Sequence, residues 1–397
     1  MQPQAPFFAL SQPQMQIWLA AEHCPDKALF TESVLLTFDQ ITPEQINHAL
    51  NRLVQQTEVL RLRIVQTDDG PMQYDAGYTP FACRCVPFID QSAAQDYFDA
   101  QSRQPIPLYA HALFDAQILT FPAHTSLLLR VHHIISDTCG LVALLNHLFS
   151  FLAGINPPPF NSFLPLLTTP DDCTDHAAFW HETLKDAVFG ATPHPLSSPL
   201  GHKVDWHRVC IGHTRSQQLR ELAKRLGVSV YCVFFAAYAL YLSRALGTDD
   251  VTIVVPRQNR PTDAHHNASG MFTLAVPVRV HLTPQTDFAA LCQQVKSQSA
   301  LAAQHKAYGF SRILSDCTKQ NRHTALSHFT LSFLPYHLQT HGIKVQWDAH
   351  LGGAMTNLMT VQIADWMNSG AYTLLITIVP NTMHALKSSP LPIACCT

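Results

Sequence analysis

SLLLRVHHIISDTCGLVALLNHLFSFL, residues 126–152, joins one apolar run to another through a short polar turn. Ser126 to His132 has the length and apolar density of a central strand covered on both faces. Leu141 to Leu152 resumes as an apolar helix, and Ser136, Asp137 and Thr138 mark the change of composition between the two. The expectation is a buried strand, a short loop and a buried helix, with His132, His133 and Asp137 at the junction. Core packing orients a side chain there without covering its polar end.

A neutral imidazole accepts a proton near pH 7, so a histidine beside an acyl carbonyl can help an amine, hydroxyl or thiol attack it. Side chains alternate along a strand, so at most one of His132 and His133 faces a shared cavity, and position alone does not choose between them. Asp137 can accept from an imidazole or pair with an arginine to hold the loop. Arg61, which ends LVQQTEVLR (53–61), is a distant candidate partner, because an unpaired buried carboxylate is costly. An isolated HxxxD spacing is more often a core or loop feature, and its place between strand and helix is what favours chemistry. His265, His266 and His305 read as ordinary core or loop residues. Ser11, Ser136 and Cys139 have no GxSxG elbow around them and read as a cap, a turn residue or a small buried group. No GxGxxG or Walker loop is present.

Outward from that centre, Val34 to Phe38 has strand composition. Thr42-Pro43-Glu44-Gln45 opens a helix with a capping box, followed by Ile46, Leu50, Leu53 and Val54 on one face and a returning strand from Leu60. Prolines at 157, 158, 159, 165, 170, 193, 195 and 199, broken by a short helix at 177–184, mark a lobe boundary. Beyond it, Thr214 and Gln217 suggest a second capping box, Gly227 a helix stop, and Ser229 the cap of a buried helix from Val230 to Leu246. Val251 to Val255 reads as a strand ended by Pro256, and Tyr372 to Val379 as another. Ala385 to Thr397, with Pro390, Pro392 and Cys395-Cys396, is expected to fray. The division is thus 1–175 and 176–397, both α/β.

With 25 Lys and Arg against 28 Asp and Glu, a net charge of -3 and no basic cluster, the sequence argues against a nucleic-acid surface. The Val230–Leu242 run is too short to cross a bilayer, so no membrane role is expected. Eleven cysteines lack a paired ligand spacing, which argues against a metal site and for scattered thiols in a cytoplasmic protein. MQPQAPFFALSQPQ lacks the features of a secretory signal.

The chain resembles the condensation domains of nonribosomal peptide synthetases, within the chloramphenicol acetyltransferase-like superfamily. SQPQMQIW (11–18) is similar to the family's SxAQxRLW and keeps Ser11, Gln14 and Trp18. Glu58, Leu60 and Arg61 resemble RHExLR, and His132 to Asp137 resembles HHxxxDG. GMFTLAVPVR (270–279) is similar to GxFVNTLPLR, and His305 begins a stretch like HQDxPFE. The resemblance implies two acetyltransferase-like lobes in a V, a central tunnel, and carrier proteins presenting phosphopantetheine-bound substrates at its mouths, with no cofactor bound directly. It makes His133 the catalytic residue, with His132, Asp137 and Arg61 structural and Asp137 salt-bridged to Arg61. It places Ser136, Thr138, Cys139, Gly140, Trp18 and Leu274 along the tunnel.

The implied reaction is amide formation between an acyl or peptidyl thioester on a donor carrier and an amine, free or on an acceptor carrier. Ester formation with a hydroxyl acceptor and an inactive carrier-binding scaffold are the alternatives. Departures bear on activity more than on fold. Thr138 stands where the family has glycine, Leu274 replaces an asparagine, and TDHAAFW (174–180) keeps only Ala178 and Trp180 of YxDFAxW, with Thr174, His176 and Ala177 at the other positions. The family's usual final helix has no evident counterpart at the C-terminus.

Overall fold

Thr125–His132 is a strand with every residue buried. It lies third in a five-stranded sheet ordered Val345–Leu351, Thr31–Phe38, Thr125–His132, Phe114–Thr120 and Arg84–Pro87. The pairings are antiparallel except that of Arg84–Pro87 with Phe114–Thr120. These features come from a computed structural model that describes residues 6–167, 174–187, 202–203, 205–319, 326, 328–351, 354–355 and 357–379. The prolines at 170, 193, 195 and 199 and the expected fraying segment Ala385 to Thr397 lie outside the described residues.

Two-residue alternation gives this sheet its two covered faces. Leu35, Leu119 and Leu128 pack on Ala94 and Phe98 of the helix Gln91–Ser102. Phe38 points the other way and meets Phe149 of the helix Thr138–Leu152 edge-on. The helix Pro43–Gln56 packs on Thr138–Leu152. It starts as its sequence dictates, for Thr42 Oγ1 accepts from Gln45 N and Gln45 Oε1 accepts from Thr42 N. A single 3-10 turn, Glu58–Arg61, follows, so the returning strand runs Leu62–Thr67 rather than from Leu60.

The chain divides into two units. The first comprises residues 1–169, 259–272 and 336–354, and the second 170–258, 273–335 and 355–397. The first break falls close to the proline-rich boundary. A contiguous split after residue 175 is nevertheless too simple, because 259–272 and 336–354 pack in the first unit, the latter supplying its edge strand. Such returns leave no local composition signal.

The second unit holds a six-stranded sheet ordered Leu274–His281, Asp250–Arg257, Phe329–Leu334, Met359–Ala364, Thr373–Ile378 and Asp205–Cys210. Val230–Leu246 is its buried helix, and Gly227, at φ 64°, ends the preceding helix His213–Leu226 in the left-handed region where glycine has no Cβ penalty. Two expectations fail here, and a third, the Ser229 cap, holds in position but not in its side-chain bond. His213–Leu226 is capped at Gly212 without a side-chain bond, and Gln217 bonds Glu221 and Arg220 instead of closing a box with Thr214. Ser229 holds the cap position, but its hydroxyl contacts Cys232 Sγ. The strand also runs through Pro256 to Arg257. Among the described residues no single helix is long and apolar enough to cross a membrane.

Candidate active site

The strand register separates the two histidines. Thr31 pairs with His132 and Glu32 with Val131, so His132 belongs to the Gln91–Ser102 face and His133, two residues after Val131, to the Thr138–Leu152 face. His132 is buried and stacks on Phe30, with ring centroids 6.4 Å apart. His132 Nδ1 accepts the Ile134 N–H at 3.1 Å, which leaves the proton on Nε2. His133 has the opposite arrangement. Its Nδ1 is 2.8 Å from the Ser136 carbonyl oxygen, which can only accept, so Nδ1 carries the proton and Nε2 keeps a free lone pair. The His133 side chain is 32% exposed, and Glu32 Oε1 lies 3.6 Å from its Nδ1.

Burial pushes the His132 imidazole down from its usual 6.5 to about 3, with neighbouring His133 adding to the effect. An unfolded chain would protonate this ring below pH 6.5 while the folded one does not, so the stability present above 6.5 is lost progressively as pH falls towards 3. Thermal unfolding followed across that range should show a contribution of about 1.4 kcal/mol per pH unit that disappears in His132→Asn. An unchanged acid slope in that variant would contradict the burial assignment.

Asp137 closes the loop and opens the helix. Its Oδ1 accepts from Gly140 N at 2.8 Å, capping Thr138–Leu152, and its Oδ2 accepts from Phe272 N at 3.1 Å. Oδ1 also lies 2.8 Å from Arg260 Nη2, and both side chains are almost wholly buried. The guanidinium sits over the Phe272 ring at 4.4 Å. Arg61 is therefore not the partner of Asp137. Its Nη2 pairs with Asp75 at 2.7 Å, and its Nη1 donates to the carbonyls of Val54 and Gln55 at the end of Pro43–Gln56.

Other expected site residues fall in different places. Thr138 and Cys139 are half-buried on the first helical turn, while Ser136 and Gly140 are buried. A Cβ on Gly140 would stand 2.8 Å from Ser136 Oγ and 3.0 Å from both N and O of Gly270, so close backbone approach demands glycine here. Gly140→Ala should accordingly lower stability by about 1–3 kcal/mol in chemical denaturation. Trp18 donates to the Tyr109 hydroxyl at 2.8 Å, and that hydroxyl donates to Glu22. Leu274 is a buried strand residue of the second unit.

Two motif positions acquire roles that the sequence did not reveal. Gln14 Nε2 donates to the Ile134 carbonyl and to Gln73, tying the helix Gln12–His23 to the histidine loop, while Ser11 and Gln14 form that helix's capping box. Glu58 accepts from Ser162 Oγ and from the N–H groups of Phe163 and Leu164. Phe163 then packs edge-on against Phe272, beside Asp137. Among the described residues no group of three or more metal-ligating side chains is present.

The protein-family profile described as Condensation domain matches residues 4–384. Surfactin synthase subunit 1 of Bacillus subtilis (strain 168) is 22% identical over 93% of this chain, and bacitracin synthase 3 of Bacillus licheniformis is 24% identical over 72%. The chain spans only 11% and 5% of those two proteins. Among solved structures, the starter condensation domain of rhizomide synthetase superposes with a TM-score of 0.80 at 22% identity, covering 96% of this chain and 91% of that one. The first condensation domain of the calcium-dependent antibiotic synthetase gives 0.79 at 19%, covering 95% and 91%. The profile match takes in the histidine loop, its aspartate and both sheets, so the chain belongs to the condensation domain family.

Proposed function

We propose that this chain joins an acyl group, delivered as a thioester on the phosphopantetheine arm of a carrier protein, to an amine acceptor, with His133 as the base. Condensation domains are acyltransferases that form amides from carrier-bound acyl donors and amine acceptors. The observation that carries the assignment to His133 is the Nδ1 contact with the Ser136 carbonyl: it leaves Nε2 as an acceptor on a part-exposed ring, whereas the neighbouring ring is buried. A backbone carbonyl can only accept, so this contact fixes the tautomer.

The step balances as follows. The amine nitrogen attacks the thioester carbon as Nε2 of His133 takes the nitrogen's proton, the C–S bond breaks, and the proton passes to the departing sulfur. The products are an amide and a free carrier thiol. Thr138 and Cys139, half-buried beside the loop, are the residues we assign to the approach of the substrate arm. The acceptor is a free amine or one held on a second carrier. The scattered cysteines favour the cytoplasm as the place of reaction.

Mixing the chain with an acyl carrier thioester and parallel amine and alcohol acceptors, then identifying products by mass spectrometry, tests the reading. An amide product is expected. An ester alone would move the assignment to a hydroxyl acceptor, and carrier binding without either product would make the chain a scaffold.

A further inference from the structure

Glu32 is the charged residue of its strand and sits on a face that is otherwise apolar. In TESVLLTF (31–38), the positions that share its face are Val34, Leu36 and Phe38, all buried. Its partner across the antiparallel pair is Val131, and His133 follows two residues later on the same side. The distance agrees with the register, since Glu32 Oε1 lies 3.6 Å from His133 Nδ1, which is ion-pair range and too long for a hydrogen bond. The Glu32 side chain is only 8% exposed. Oε2 is buried and has no hydrogen-bond partner among the described residues.

A buried carboxylate this poorly hydrogen-bonded is retained at a cost. Burial raises the Glu32 carboxyl above the usual glutamate range, His133 draws it back down, and Asp137 pushes it up. Arg260 already neutralises Asp137, and His132 belongs to the opposite face of the sheet. His133, 3.6 Å away on the same face, is the group that becomes cationic opposite this carboxylate when Nε2 takes a proton.

We propose that Glu32 is a positioning residue for His133: it holds the ring against the Ser136 carbonyl and offsets the positive charge that develops when Nε2 takes the proton of the acceptor amine. The inference rests on the reading of His133 as the base and deepens it. Glu32 acts behind the ring, at Nδ1, so it touches neither donor nor acceptor.

The test joins kinetics to a titration. Glu32→Gln keeps the shape and removes the charge, and it should lower kcat for amide formation about 10- to 100-fold with KM for the amine unchanged. Glu32→Asp keeps the charge and should lose less. In parallel, carboxyl carbon-13 NMR of the Glu32 side chain follows its titration in the unaltered chain and in His133→Asn. Without an imidazole to draw it down, the Glu32 midpoint should move to higher pH in the variant. The same midpoint in both proteins, or equal loss in Glu32→Gln and Glu32→Asp, overturns the proposal. A coupled titration in a chain that makes no amide would uphold the pairing and reject the catalytic reading, so the two failures are distinguishable.

Discussion

His133→Ala is expected to reduce the rate of amide formation by about 10²- to 10⁴-fold, the range that a positioned general base contributes. The loss should fall on kcat, because the ring acts on the proton that leaves in the transition state and does not bind the acyl chain. His133→Asn sharpens the test. An asparagine amide nitrogen occupies nearly the position of Nδ1 and can donate to the Ser136 carbonyl, so the loop contact at 2.8 Å survives while the lone pair of Nε2 is gone. Both variants should be equally inactive, but only alanine should disturb the loop. His132 supplies the contrast, being buried on the other face with Nδ1 committed to the Ile134 N–H. Altering it should change stability before it changes the rate constant of chemistry. Initial rates at saturating thioester, read as amide by mass spectrometry, separate these outcomes. Full activity in His133→Asn would remove the base from the mechanism.

The strand, loop and helix around these residues are readable in the sequence because each has a local signature: eight buried positions in Thr125–His132, a polar break, and an apolar helix capped by Asp137. Thr42 and Gln45 are readable for the same reason. Thr214 and Gln217 show the limit of that signature, for the same spacing falls one residue inside a helix that Gly212 already begins. Long-range partners have no such mark. Arg61 and Arg260 are both plausible charges for Asp137, and only the return of 259–272 to the first unit decides between them. Glu32 did leave a trace, since a glutamate in register with Val34, Leu36 and Phe38 breaks an apolar stripe and implies a buried partner. Starting the strand at Val34 instead of Thr31 hides it.

Arg260→Ala should destabilise the chain by about 3–5 kcal/mol, the cost of leaving a buried carboxylate without its counter-charge. Asp137 and Arg260 are 123 residues apart, yet their side chains meet at 2.8 Å with almost no exposure, so water cannot replace the missing guanidinium. The same carboxylate receives Gly140 N and Phe272 N, and its uncompensated charge would therefore loosen both the helix start and the returning segment. Arg61→Ala offers the comparison, because its pair with Asp75 is partly exposed and an exposed ion pair is worth about 1 kcal/mol or less. Loss of the two carbonyl contacts at Val54 and Gln55 adds a similar amount. Chemical denaturation of both variants should rank Arg260→Ala well below Arg61→Ala. Asp137→Asn placed on Arg260→Ala should then recover part of the loss, since the double variant buries an amide in place of an unpaired charge while keeping an oxygen for Gly140 N. The reverse ranking, or a double variant weaker than the sum of the singles, would show that the loop is held through Arg61 and not through the returning segment.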